Sequence, residues 1–170
     1  MKKTTLQKML LTALFTALMA AGAFLHIGEA SLQSMFAVAA GILLGPVWGA
    51  VSVSLYILLG AIGLPIFVNT VADPTFGYLL GMILAAFISG ILTEKTEWNI
   101  WLISALGLLS VYLIGIPYSY FFFKAQTPDM KVITAINMGI VFLPIDFGKW
   151  CVVSPIAGRL LSVLRKDLYR

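Results

Sequence analysis

The 170-residue chain is 61% hydrophobic and only 11% charged, with a mean hydropathy of +1.01, which excludes an ordinary water-soluble globular domain. Its net charge of +4 comes from basic residues concentrated toward the two ends, a distribution that reads as membrane orientation and not as a nucleic-acid contact surface. The single cysteine, Cys151, excludes an internal disulfide and a cysteine-based metal cluster; it is expected to be a small buried packing residue.

Apolar runs of about the length that crosses a bilayer account for nearly the whole chain, leaving no room for a separate soluble domain. The predicted architecture is therefore all-α: one membrane domain over residues 1–170 with six transmembrane helices, at about 9–26, 32–45, 48–63, 75–93, 99–123 and 145–164. The first run follows Lys2, Lys3 and Lys8. Ala21-Gly22-Ala23 looks superficially like a leader cleavage site, but every later segment is also a membrane segment, so the run is expected to remain as a first span. Within it Ala13, Ala17 and Ala21 recur every fourth residue, a smooth ridge on which another helix can approach closely, either inside the bundle or from a partner. His26, the sole histidine, stands at the end of this span without the cluster that a metal site needs, and an interfacial ring is expected.

The second and third spans are joined by the tight turn Gly45-Pro46-Val47. The second is short for a full crossing and is expected to tilt or to border a cavity. Gly63 to Pro74, with two prolines, Asn69, Thr70 and Asp73, leaves helical behaviour. Irregular backbone at membrane depth is tolerated where protein covers it or where it lines a cavity, so this loop is expected to cap a binding site, with Asn69 as a possible contact. After the fourth span comes the charged connection Glu94-Lys95-Thr96-Glu97, and Trp98 and Trp101 anchor the fifth. That span passes Pro117, where a kink is expected, and ends in the aromatic run Tyr118 to Phe123, which reads chiefly as an interface belt. The apolar stretch from Val132 to Leu164 is too long for one ordinary span and is broken at Pro144, predicting a short helix followed by the sixth span.

Phe142-Leu143-Pro144-Ile145-Asp146-Phe147-Gly148-Lys149-Trp150 sets an acid and a base inside an apolar run. A charge in hydrocarbon costs roughly 2.5 to 3.5 kcal/mol or more, which makes such residues functional candidates. Three apart on a helix, Asp146 and Lys149 share a face that Trp150 and Val153 extend. Pro144 suits a helix start, which puts Asp146 in the first turn at the positive end of the dipole. The pair reads either as a ligand site or as a structural ion pair.

With the N-terminus inside, six spans return the C-terminus inside. Lys2, Lys3, Lys8, Lys95, Arg159, Arg165, Lys166 and Arg170 then lie on the cytoplasmic side, and only Lys124 and Lys131 outside. The capping loop and the Asp146/Lys149 face both fall in the outer half, predicting a pocket open to the outside.

The ordered motifs Ser31-Leu32-Gln33, Ala39-Ala40-Gly41-Ile42-Leu43-Leu44-Gly45-Pro46, Gly60-Ala61-Ile62-Gly63-Leu64-Pro65-Ile66-Phe67, Pro74-Thr75-Phe76-Gly77-Tyr78-Leu79-Leu80-Gly81 and Leu143-Pro144-Ile145-Asp146-Phe147-Gly148-Lys149 resemble the BioY family, the biotin-binding S components of energy-coupling factor (ECF) transporters. The resemblance covers roughly Ala13 to Leu164. It implies a six-helix protein of the prokaryotic plasma membrane, both termini cytoplasmic, that captures biotin from outside as transported ligand, with no cofactor. It also implies association with a transmembrane T component and two ATP-binding subunits, the T component resting on Ala13, Ala17 and Ala21. Asp146 and Lys149 carry over as ligand contacts, with Gln33 and Tyr78 as further candidates.

The chain departs from the family pattern at Gly28-Glu29-Ala30-Ser31, at the shortened stretch Val68 to Asp73 and at Phe76. These departures leave the ligand open between biotin and another carboxylated molecule such as lipoate or dethiobiotin. A membrane enzyme is the reading from a different class, but the chain holds no HExxH and no GxSxG. Nor does it hold a phosphate-binding GxxxxGK[ST] loop, so energy from ATP has to come from other polypeptides.

Overall fold

The computed structural model describes residues 3–27, 30–66 and 73–168. The elements run α1 (Lys3–Phe24), β1 (His26–Ile27), β2 (Ala30–Ser31), α2 (Gln33–Leu44), α3 (Pro46–Ala61), α4 (Phe76–Lys95), α5 (Ile100–Gln126), α6 (Val132–Ile140) and α7 (Leu143–Leu168). The two short strands pair antiparallel, His26 opposite Ser31 and Ile27 opposite Ala30, and close the turn that leads into α2. The seventh helix arises where Pro144 interrupts the last apolar stretch: α6 and α7 meet at a bend of 42°. Pro144 is the second residue of α7, a position at which its missing N–H removes no helix bond.

Helices α1, α4 and α5 are long and apolar enough to cross a bilayer, and the bent α6–α7 pair passes the same test as one unit. At 12 and 16 residues, α2 and α3 are shorter. Position explains why α2 can be short. It packs against α1, α3, α4, α5 and α7, so protein rather than lipid surrounds it, and the length that hydrocarbon demands of an exposed helix does not apply.

Small residues make that central position possible. A Cβ on Gly41 would run into the Ala86 carbonyl and the Ser89 hydroxyl of α4, and one on Gly49 would meet the Gly41 backbone. At Gly45 the chain turns with φ +83°, a left-handed conformation that favours glycine, and Pro46 then starts α3. Most of the buried polar groups are hydroxyls bonded to carbonyls: Ser89 to Ala85 (2.8 Å), Thr93 to Ser89 (2.7 Å), Ser154 to Trp150 (2.7 Å). Others tie helices together, Thr16 of α1 to the Ser52 carbonyl of α3 (2.9 Å) and Ser104 of α5 to Ser154 of α7 (2.6 Å). Such bonds let polar atoms sit inside a bundle whose surroundings offer no water.

The outer surface is correspondingly apolar. On α1, Leu6, Leu10, Leu14 and Phe24 are exposed, and so are Ala13, Ala17 and Ala21. Cys151 corrects its expectation: it is exposed, because the inner face of α7 is occupied by Lys149, Val153, Ser154 and Ala157, and residue 151 faces away from it. The aromatic run is divided: Phe121 is exposed, whereas Tyr118 stacks on Phe122 and meets Phe76 of α4.

Gly41→Ala tests the close packing of α2 on α4. Overfilling a packed core costs about 1–3 kcal/mol, so thermal unfolding in detergent should show a clearly lowered midpoint for the variant.

Candidate functional site

The start of α7 brings the charged pair inward. Asp146 lies in the first turn, with its own N–H bonded to the Phe142 carbonyl (3.0 Å). One turn on, Lys149 reaches back so that Nζ donates to Asp146 Oδ1 at 2.6 Å. The Lys149 side chain is 5% exposed and that of Asp146 14%. Lys149 also donates to Ser34 Oγ on α2 (3.1 Å), and the Tyr112 hydroxyl of α5 donates to Asp146 Oδ2. Three helices thus meet at one ion pair.

Around it stands a wall of rings. Tyr78 of α4 makes edge contacts with Tyr112 (5.9 Å between centroids) and Phe142 (5.6 Å), and it fits against α5 because residue 115 is glycine. Deeper along α7, the Trp150 indole N–H donates to the Trp101 carbonyl (2.8 Å), fastening α7 to the start of α5.

The sequence candidates separate into groups. Asp146 and Lys149 are together, and Tyr78 reaches their neighbourhood through Tyr112. Gln33 is buried beside Ser34, but its amide donates to Tyr56 OH (2.6 Å), and Tyr56 donates to the Ile66 carbonyl (3.2 Å). Gln33 and Tyr56 thus tie α2 and α3 to the start of the loop toward α4. At the loop's other end, Asp73 Oδ1 accepts from the Thr75 N–H (2.8 Å) and hydroxyl (2.6 Å), and Ser119 of α5 donates to the Pro74 carbonyl (2.7 Å). Asn69, the middle of the expected cap and Glu29 lie outside the described residues.

Sequence reasoning missed Ser34, Tyr56 and Tyr112. Each is a hydroxyl-bearing residue in an apolar helix, the one available signal, and only Ser34 is alone in its helix. Among the described residues no group of three or more His, Cys, Asp or Glu comes together. A separate cleft of about 770 Å³, with Thr93, Trp98, Ile103, Gly158 and Leu161 in its lining, lies at the opposite end of the bundle. Its Gly158 is nine residues beyond Lys149 on α7, about 13 Å at 1.5 Å per residue.

The model of the BioY family matches residues 1–166. The chain belongs to the BioY family. This BioY-family chain is 34% identical over 168 residues to the biotin transporter BioY of Thermotoga maritima, covering 91% of this chain and 96% of that one. It is 35% identical over 133 residues to the probable biotin transporter BioY of Lysinibacillus sphaericus, covering 71% and 68%. A crystal structure of the S-component for biotin from an ECF-type ABC transporter superposes with a TM-score of 0.72 at 26% identity, covering 94% of this chain and 93% of that one. The helical fold is therefore that of an ECF S component.

Breaking a buried ion pair from one side costs about 3–5 kcal/mol, while replacing both partners with apolar groups is often neutral. Asp146→Leu should therefore lower the unfolding midpoint strongly, and adding Lys149→Met should recover most of the loss in a thermal melt.

Proposed function

We propose that this protein is the biotin-capturing S component of an ECF transporter. It is a substrate-binding subunit and not an enzyme. The observation that carries the reading is the buried Asp146–Lys149 pair, held at one end of the bundle in a BioY-family chain with hydrogen-bonding capacity left over. An ammonium offers three donors and a carboxylate about four acceptor positions. Lys149 uses two donors, on Asp146 and Ser34, and Asp146 accepts one bond from Lys149 and one from Tyr112.

That remainder suits one ligand end in particular. The charged tips are 2.6 Å apart, so both address the same part of a ligand, whereas biotin's ring head and carboxylate are separated by a four-methylene chain. A ligand carboxylate would be repelled by Asp146. A neutral cyclic urea, with N–H donors beside a carbonyl acceptor, satisfies Asp146 and Lys149 together. The ureido head therefore sits at the pair, and Tyr78 supports the apolar wall around it. Asn69 stays a candidate contact.

The site faces outward, in the plasma membrane of a prokaryotic cell, with both termini in the cytoplasm. This orientation follows from the excess of Lys and Arg at the opposite end. The partners are a T component and two ATP-hydrolysing subunits. Ala13, Ala17 and Ala21 on α1 form the ridge for the T component, and their exposure leaves them free to be covered.

Calorimetry on the detergent-purified protein is expected to show saturable one-to-one biotin binding, lost in Asp146→Asn and in Lys149→Met; unchanged affinity in both would remove the pair from the site. Displacement of labelled biotin should rank dethiobiotin, which keeps the urea, well above lipoate, which lacks it. For the partner face, a cysteine at Ala17 in a Cys151→Ser background should cross-link to the T component of an assembled complex. The exchange at Cys151 is needed because that thiol is itself exposed.

A further inference from the structure

Resting on the reading of Asp146 as the acceptor for a ligand's ureido N–H groups, we propose that Tyr112 is a specificity-determining positioning residue, whose hydroxyl aims the Asp146 carboxylate at that head group.

Asp146 sits in the first turn of α7 and can rotate about both side-chain bonds. Lys149, itself anchored on Ser34 of α2, restrains Oδ1, but neither of those bonds touches Oδ2. The second restraint comes from elsewhere: Tyr112, near the middle of the 27-residue α5, donates to Oδ2. With both oxygens tied from different helices, the carboxylate plane has one orientation, and its two remaining acceptor positions are aimed.

Tyr112 is itself fixed. Its ring meets Tyr78 at right angles with centroids 5.9 Å apart, and Tyr78 meets Phe142, the residue before α7, at 5.6 Å. Three rings from α4, α5 and the α6–α7 junction therefore hold the phenol oxygen in place. Packing against Gly115 sets Tyr78 in turn, since a Cβ there would strike its ring.

A phenol in this position also favours the acceptor role. The phenol O–H and the ammonium N–H each fill one acceptor position of the carboxylate and leave the others for donors. Ligand N–H donors complete it. A ligand that lacks such a donor leaves desolvated acceptor positions open, the arrangement by which sites reject analogues missing one polar group. Tyr112 thereby selects for N–H donors without touching the ligand.

Tyr112→Phe removes the hydroxyl and keeps the ring. With the purified full-length protein, biotin and a biotin methylated on a ureido nitrogen are titrated against wild type and variant, and the ligand-free unfolding midpoint is recorded for both. Loss of the aiming bond is expected to weaken biotin about tenfold, the scale of one hydrogen bond to a charged group. The methylated analogue should lose at most about threefold, so that the variant discriminates less between the two ligands, with the midpoint lowered only by the loss of that one bond. Biotin affinity equal to wild type would overturn the proposal, and so would equal weakening of both ligands, which marks a merely structural role. Wild type that fails to bind biotin at all would instead overturn the biotin reading on which the proposal rests.

Discussion

The structure depends on keeping two opposite charges inside a bundle that lies in hydrocarbon. An isolated charge there is prohibitive, so Asp146 and Lys149 neutralise each other at 2.6 Å, and the surrounding helices supply the bonds that one turn of α7 cannot. Ser34 brings in α2, and Tyr112 brings in α5. This single requirement fixes which helices converge at that end of the molecule. It also explains why the pair suits a binding site, since residual donors and acceptors held in a low-dielectric setting interact strongly with a matching ligand.

The convergence relies on α2 being at the centre. Its small residues allow α4 and α3 to approach at backbone distance, and its first two residues do different work. Ser34 touches the ion pair, while Gln33 continues through Tyr56 to Ile66. The site and the start of the 63–74 loop are thus fastened to adjacent residues of one helix. A disturbance at the pair and a displacement of the loop share that anchor.

Segregation of surfaces gives the molecule two chemically distinct regions. Buried hydroxyls bond to helix carbonyls, leaving the outside to leucine, phenylalanine, valine and isoleucine, as a lipid-facing surface requires. On α1 the alanines make that surface smooth as well as apolar, which suits contact with another helix. The proposed ligand end and the proposed partner face therefore use different chemistry, polar and inward in one case, small and outward in the other.

Much of this was legible in the chain. Composition and run length dictate an all-helical membrane protein, Pro144 dictates a break, and the three-residue spacing of Asp146 and Lys149 dictates that they share a face, because these are local properties. What was not legible depends on which helix meets which. Tyr112, Ser34 and Tyr56 are hydroxyl-bearing residues within apolar helices, two of them among several others, and no periodicity says which faces the site. Gln33, read as a ligand contact, has its amide on Tyr56. Cys151, read as buried, is exposed because α7 turns its other side inward. The helices, their break and the charged pair follow from local sequence, whereas the partners of that pair do not, because hydrogen bonds between residues 34 or more positions apart exist only once the helices pack.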